Sequence, residues 1–331
     1  MKRLLALIGT LLCLAAPLHA QCIGKNLITA LPPEDRAVLD GLTAQSPYPV
    51  GNYWRASKGS QTITLIGSYH FDDPRHAATM VRLTPLIAAA KTVLVEAGPD
   101  EENALKARIA RDPSLMIITD GPTLIDLLPA DDWAALTAAM RARNVPAFMV
   151  AKFQPWYISV MLGIPPCALA QAATSKGLDG QIVDAATAAG VPIKALEPYD
   201  TVFQIFGSLS DADQLSMIHS TLAMEDLGAD YAITLADTYF SQDTRAIWEF
   251  TKLQSLAVPG ATPDQVNGEF ARMEAALMSK RNRSWIPVIE AAAQQGPAFA
   301  AFGALHLSGK DGVLALLERD GYTLERLSIP Q

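Results

Sequence analysis

Two histidines, His70 and His306, each close a Gly-x-x-His stretch at the end of an apolar run: Gly67-Ser68-Tyr69-His70 and Gly303-Ala304-Leu305-His306. Neutral imidazole is a ligand for zinc, manganese, iron or cobalt, and also a general base near neutral pH. The glycine three residues earlier permits a close backbone approach, which frees the ring to project into a cleft. Either stretch alone describes a structural histidine as well as a functional one. Together with a carboxylate on a third strand they describe a site. Glu96, at the end of Thr92-Val93-Leu94-Val95-Glu96, is that carboxylate. At the edge of a core its unpaired charge would be costly, so it needs a cation, either a metal or an arginine.

Further groups surround this trio in type if not in sequence. Glu197 ends a second apolar run, and serves equally well as a salt-bridged acid or as a functional one. Asp72 and Asp73 follow His70 and could orient its second ring nitrogen, although Pro74 makes an Asx-type turn an equal reading. Asp179 lies at a helix start, where a carboxylate caps free amides. Arg281 and Arg283 either form a solvated basic run or bring a guanidinium over the cleft to stabilise an oxyanion. His219 reads as a structural mid-helix residue and His76 as a solvent-facing one. No HExxH, GxSxG, P-loop or GxGxxG motif is present, which removes support for zincin, serine-hydrolase and nucleotide-driven chemistry.

The elements that must position these residues are those of an α/β protein. Residues 52–67 read as a hairpin turning at Lys58-Gly59-Ser60, and 76–90 as a helix. With the strand 92–96 this makes a parallel strand–helix–strand unit. Residues 101–175 and 200–295 are helical in pattern, separated by a helix through Ala189 and a short strand from Pro192 to Glu197. Near the end come a strand over 297–302, the helix Val313 to Arg319 and a strand over 322–327. The expectation is a central, largely parallel sheet with helices on its faces, in one domain over 21–331, and a large helical insertion between the two histidine-bearing strands.

The first twenty residues read as a cleaved signal peptide: Lys2 and Arg3, an apolar run from Leu4 to Ala16, then Leu18-His19-Ala20. This predicts a periplasmic or secreted location. Its removal takes the formal charge from −8 to −10, and with no basic stripe this argues against nucleic acid as a partner. No later stretch has the length and apolarity of a membrane span. Half the residues are hydrophobic, enough for a sizeable core. Cys22 and Cys167 remain after cleavage, and in an oxidising compartment they read as one disulfide, the alternative being two buried thiols.

The ordered set GSYH (67–70), VLVE (93–96), GLDG (177–180), ALE (195–197), RN (281–282), GALHL and GKDG (303–312) resembles the TraB/PrgY/GumN family, related to the Tiki-type proteases. The first motif departs from the family's commoner GTxH by a serine. The resemblance implies an α/β fold with a helical insertion and a metal-dependent hydrolytic site acting on peptides or proteins. Carried over residue by residue, it makes His70, Glu96 and His306 the ligands of a divalent cation such as manganese, cobalt or zinc. Arg281 would then stabilise negative charge, with Glu197, or else Asp73, as a general base or an orienting acid. Two other functions stand beside this one: a metal-free, esterase-like hydrolase, and a non-catalytic protein that binds peptides or glycans.

Overall fold

The computed structural model describes residues 22–173, 177–258 and 260–328; the expected signal segment lies outside them. Six strands form one sheet: β1 (Tyr53–Lys58), β2 (Gln61–Ser68), β3 (Thr92–Val95), β4 (Ile193–Ala195), β5 (Ala298–Gly303) and β6 (Thr323–Arg326). Their order is β4-β3-β5-β2-β1-β6, with β4, β3, β5 and β2 parallel and the β1 pairings to β2 and β6 antiparallel. The mixed, mostly parallel α/β sheet expected from the sequence is therefore present. The hairpin turns at Gly59, whose φ of 59° is a left-handed conformation that glycine adopts without strain.

The order within the sheet is not the order of the chain. β2 and β3 belong to one strand–helix–strand unit, but β5 lies between them and pairs with both. Its sequence explains the place: Ala298, Ala300 and Phe302 face one way and Phe299 and Ala301 the other, all of them buried. A strand without a polar face fits only where both sides are covered. The edge strands β4 and β6 are correspondingly more exposed.

Each sheet face has its own helices. Phe302, Leu65 and Leu94 pack against Trp285 and Ile289 of the helix Lys280–Ala293 and against Leu314 and Leu317 of Val313–Arg319. Phe299, Ile66 and Val93 pack against Leu83 and Ile87 of His76–Ala89 and against Leu178 and Ile182 of Leu178–Ala188. His76 belongs to this buried stripe with Thr79, Leu83 and Ile87 and is 0% exposed, not solvent-facing as expected; its Nε2 meets the carbonyl of Phe71. Burial lowers its pKa.

Between β3 and β4, and again between β4 and β5, the chain is helical. The first stretch builds a separate core from Leu124, Leu136, Met140, Val150 and Ile158 with Ile218 from the second. Arg143 ties them together: its guanidinium donates to four backbone carbonyls and to both oxygens of Glu225. His219 stands on the surface beside Asp132. Cys22 and Cys167 form the expected disulfide, 145 residues apart in sequence.

Candidate active site at the carboxyl edge of the sheet

Parallel register places the site. Ser68 is opposite Gly303, Val95 opposite Ala301 and Ala195 opposite Val95, so four strands end at one edge. His70, Glu96, Glu197 and His306 all follow those ends within three residues. This is the edge at which parallel α/β sheets present ligands. The two histidine stretches, over two hundred residues apart in the chain, end on neighbouring strands.

The side chains converge over Gly303. A Cβ on this residue would stand 3.2 Å from His70 Nε2, 3.4 Å from Glu96 Oε1 and 3.7 Å from His306 Cδ2. The glycine thus keeps open the space that the three groups share. Its own amide donates to Glu96 Oε1 at 2.6 Å.

His306 is 6% exposed and its state is fixed by its neighbours. Nδ1 lies 2.6 Å from Asn282 Oδ1, an acceptor, so Nδ1 carries the proton. Nε2 then has a lone pair, which accepts from Arg281 Nη1 at 3.2 Å. Burial, together with Arg281, brings this imidazole down to about 4, so it is neutral at pH 7. Trp285 covers one face of the ring, with centroids 4.4 Å apart. Asn282 also donates to the carbonyl of Asp311, which anchors the loop following His306.

His70 is the accessible histidine, with 62% of its side chain exposed. Its Nδ1 meets Asp179 Oδ2 at 2.8 Å, and Ser68 Oγ donates to the other Asp179 oxygen. The Asp179 carboxylate raises His70 to about 9. Asp179 was expected to cap its helix; it instead orients His70, and no side chain caps that N-terminus. The approach depends on Gly177, because a Cβ there would run into the His70 carbonyl. Ser68, Asp179 and Asn282 join the expected residues at the site, and the GSYH, GLDG and RN stretches contain all three.

Arg281 fills the opposite side. Its guanidinium donates to both Glu197 oxygens at 2.7 and 2.8 Å, to Glu96 Oε2 at 2.5 Å and to the Leu277 carbonyl at 3.0 Å. Leu277 belongs to a π-helical turn, Ala275–Ser279, that interrupts the long helix just before Arg281. Such turns are frequent at functional sites. Burial alone would raise the Glu96 carboxyl, but His306, Arg281 and His70 together pull it down to about 2. Glu197 also receives Trp285 Nε1 at 3.1 Å, so both its oxygens are occupied. Asp73 does not face His70; it binds the backbone and guanidinium of Arg75. Arg283 pairs with Asp311 away from the centre.

The family model for TraB/PrgY/gumN matches residues 52–326. The chain belongs to the TraB/PrgY/gumN family. No curated protein was found to match it. The family match spans all six strands and every residue of this TraB/PrgY/gumN site. Two imidazoles with orienting partners and one carboxylate are donor types that a divalent cation takes, with His70 having to lose its proton first. Among the described residues, however, no group of three His, Cys, Asp or Glu side chains is drawn close enough to hold an ion. Arg281 supplies the positive charge that Glu96 requires.

Proposed function

We propose that this TraB/PrgY/gumN protein is an exported metal-dependent hydrolase that cleaves peptide bonds. The observation that supports it is the convergence of His70 Nε2, Glu96 Oε1 and the His306 ring over the open Gly303 position. A divalent cation held by His70, Glu96 and His306 would lower the pKa of water and polarise a carbonyl. The apolar leader with its two basic residues, and the Cys22–Cys167 disulfide, support a periplasmic or secreted location.

In this reading Asp179 and Asn282 hold the two rings with one nitrogen each turned inward. Glu197, which accepts from Arg281 on both oxygens and from Trp285 Nε1, positions the guanidinium. The Arg281 Nη1–H now accepted by His306 is the hydrogen that can turn to a developing oxyanion. His70, at the open side, is the ring a substrate reaches first.

A metal-free hydrolase is the second reading, favoured by the Arg281 contacts to Glu96 and His306. There the His70–Asp179 pair handles the proton. Elemental analysis of protein purified without chelator, beside peptide-library cleavage read by mass spectrometry, separates the two. The metal reading expects one bound ion and cleavage abolished by chelator and by His306→Ala. Chelator-resistant cleavage would replace it with the second reading, and no cleavage under any metal would leave a binding protein.

A further inference from the structure

One large cavity has neither His70 nor His306 in its lining. It occupies about 1110 Å³ between the segment near Leu162–Ala168 and the helices Asp211–Leu222, Gly228–Phe240, Thr244–Leu256 and Pro263–Glu274. That exceeds the ~300–1000 Å³ of ordinary small-molecule sites. Tyr69 and Phe71, on either side of His70, form part of its wall, so it adjoins the site without belonging to it.

Its chemistry is apolar within and acidic at the rim. Leu162, Met217, Leu235, Ile247, Val266 and Phe270 contribute to the lining. Of its hydroxyls, Thr221 donates to Met217, Thr251 to Ile247 and Ser255 to Thr251, whereas the buried Tyr231 hydroxyl has no partner among the described residues. The walls therefore present mostly methyl and methylene groups. Six carboxylates line it (Asp72, Asp73, Glu225, Asp237, Asp264 and Glu269) against two guanidiniums: Arg75, paired with Asp73 and Asp237, and Arg272, which reaches Asp213 only at 4.0 Å.

We propose that this cavity is a binding site for a single long aliphatic chain carrying a neutral or basic head. A carboxylate head would meet a lining in which acids outnumber arginines six to two, the mostly apolar walls suit a hydrocarbon chain, and the unpartnered Tyr231 hydroxyl offers a hydrogen bond to a polar head.

Calorimetric titration of the full mature protein, stripped of bound lipid, tests this with three probes of equal chain length below their micelle concentrations. These are 1-monododecanoylglycerol, dodecylamine and dodecanoic acid. We expect the glycerol ester and the amine to bind with micromolar Kd and the acid at least tenfold more weakly. Ala232→Trp and Ser255→Trp, filling the cavity from two different helices, should each weaken binding more than tenfold. Near-unchanged melting temperatures for either variant exclude misfolding as the cause. Asp72→Asn combined with Glu269→Gln should close the gap between amine and acid. Absence of binding by all three probes, or binding that neither tryptophan changes, overturns the proposal. His70→Ala should bind as the unchanged protein does, which keeps this test separate from the hydrolytic reading.

Discussion

Arg281 Nη1 donates to His306 Nε2 at 3.2 Å, so the protein's own cation occupies the lone pair that a metal ion would require. A metal ion of the kind proposed for this site would compete with that guanidinium. Arg281→Ala should bind manganese or zinc at least tenfold more tightly, a difference of about 1.4 kcal/mol. The same variant should unfold more easily without metal, by about 3–5 kcal/mol, because Glu96 and Glu197 lose their shared partner. Titration calorimetry and melting with and without metal read the two effects. Weaker metal binding in the variant would show that the guanidinium is no competitor.

The two histidines should differ in charge in metal-free protein at pH 7. His70, beside Asp179, is an imidazolium with a midpoint near 9, whereas buried His306 stays neutral to about 4 as the Nδ1–H tautomer. Nitrogen-15 NMR of the ring nitrogens distinguishes these states directly. An Nε2–H tautomer at His306 would contradict the assigned Asn282 contact.

Asp179→Asn removes the carboxylate that raises His70. The His70 midpoint should fall towards its ordinary value, and the proposed hydrolysis should drop by about 10–100-fold, the range for groups that orient metal-binding rings. Asn282→Ala should act comparably through His306. A full-rate Asp179→Asn enzyme with an unshifted His70 would remove Asp179 from the site.

His76 gives a stability dependence on pH. Its folded pKa lies below the ordinary value because it is buried, so the unfolded chain binds the extra proton first. Its contribution is complete above the unfolded pKa of about 6.5 and is lost as pH falls through the folded value. His76→Gln should flatten the melting temperature against pH between about 7 and 5 relative to the unchanged protein. Parallel curves would exclude the effect.

The Cys22–Cys167 disulfide closes a loop of 145 residues. Loop entropy assigns it an upper value of about 5 kcal/mol. Replacing both cysteines by serine should lower the melting temperature and leave the arrangement of His70 and His306 intact, which the ring NMR signals report.

The strand ends that carry His70, Glu96, Glu197 and His306 were legible because apolar runs stop at those residues. What the sequence withheld was neighbourhood. Nothing local says that β5 enters between β2 and β3, and only that insertion sets Gly303 beside Ser68. Asp179 read as a cap because helix starts attract carboxylates, while its true partner, His70, lies 109 residues away. His76 was different: its spacing from Thr79, Leu83 and Ile87 put it on the apolar stripe, a periodic signal present in the sequence. Asp73 resolved to Arg75 because two residues of separation suit an Asx-type turn.

The place of β5 also orders the birth of the fold. Residues 298–303 leave the ribosome after both of the strands they pair with, yet they occupy the middle of the sheet. Until they arrive, β2 and β3 each present a bare edge, and such edges invite pairing with other chains. A chain without β5 thus lacks the convergence of His70, Glu96 and His306, and it is also the form most in need of a chaperone.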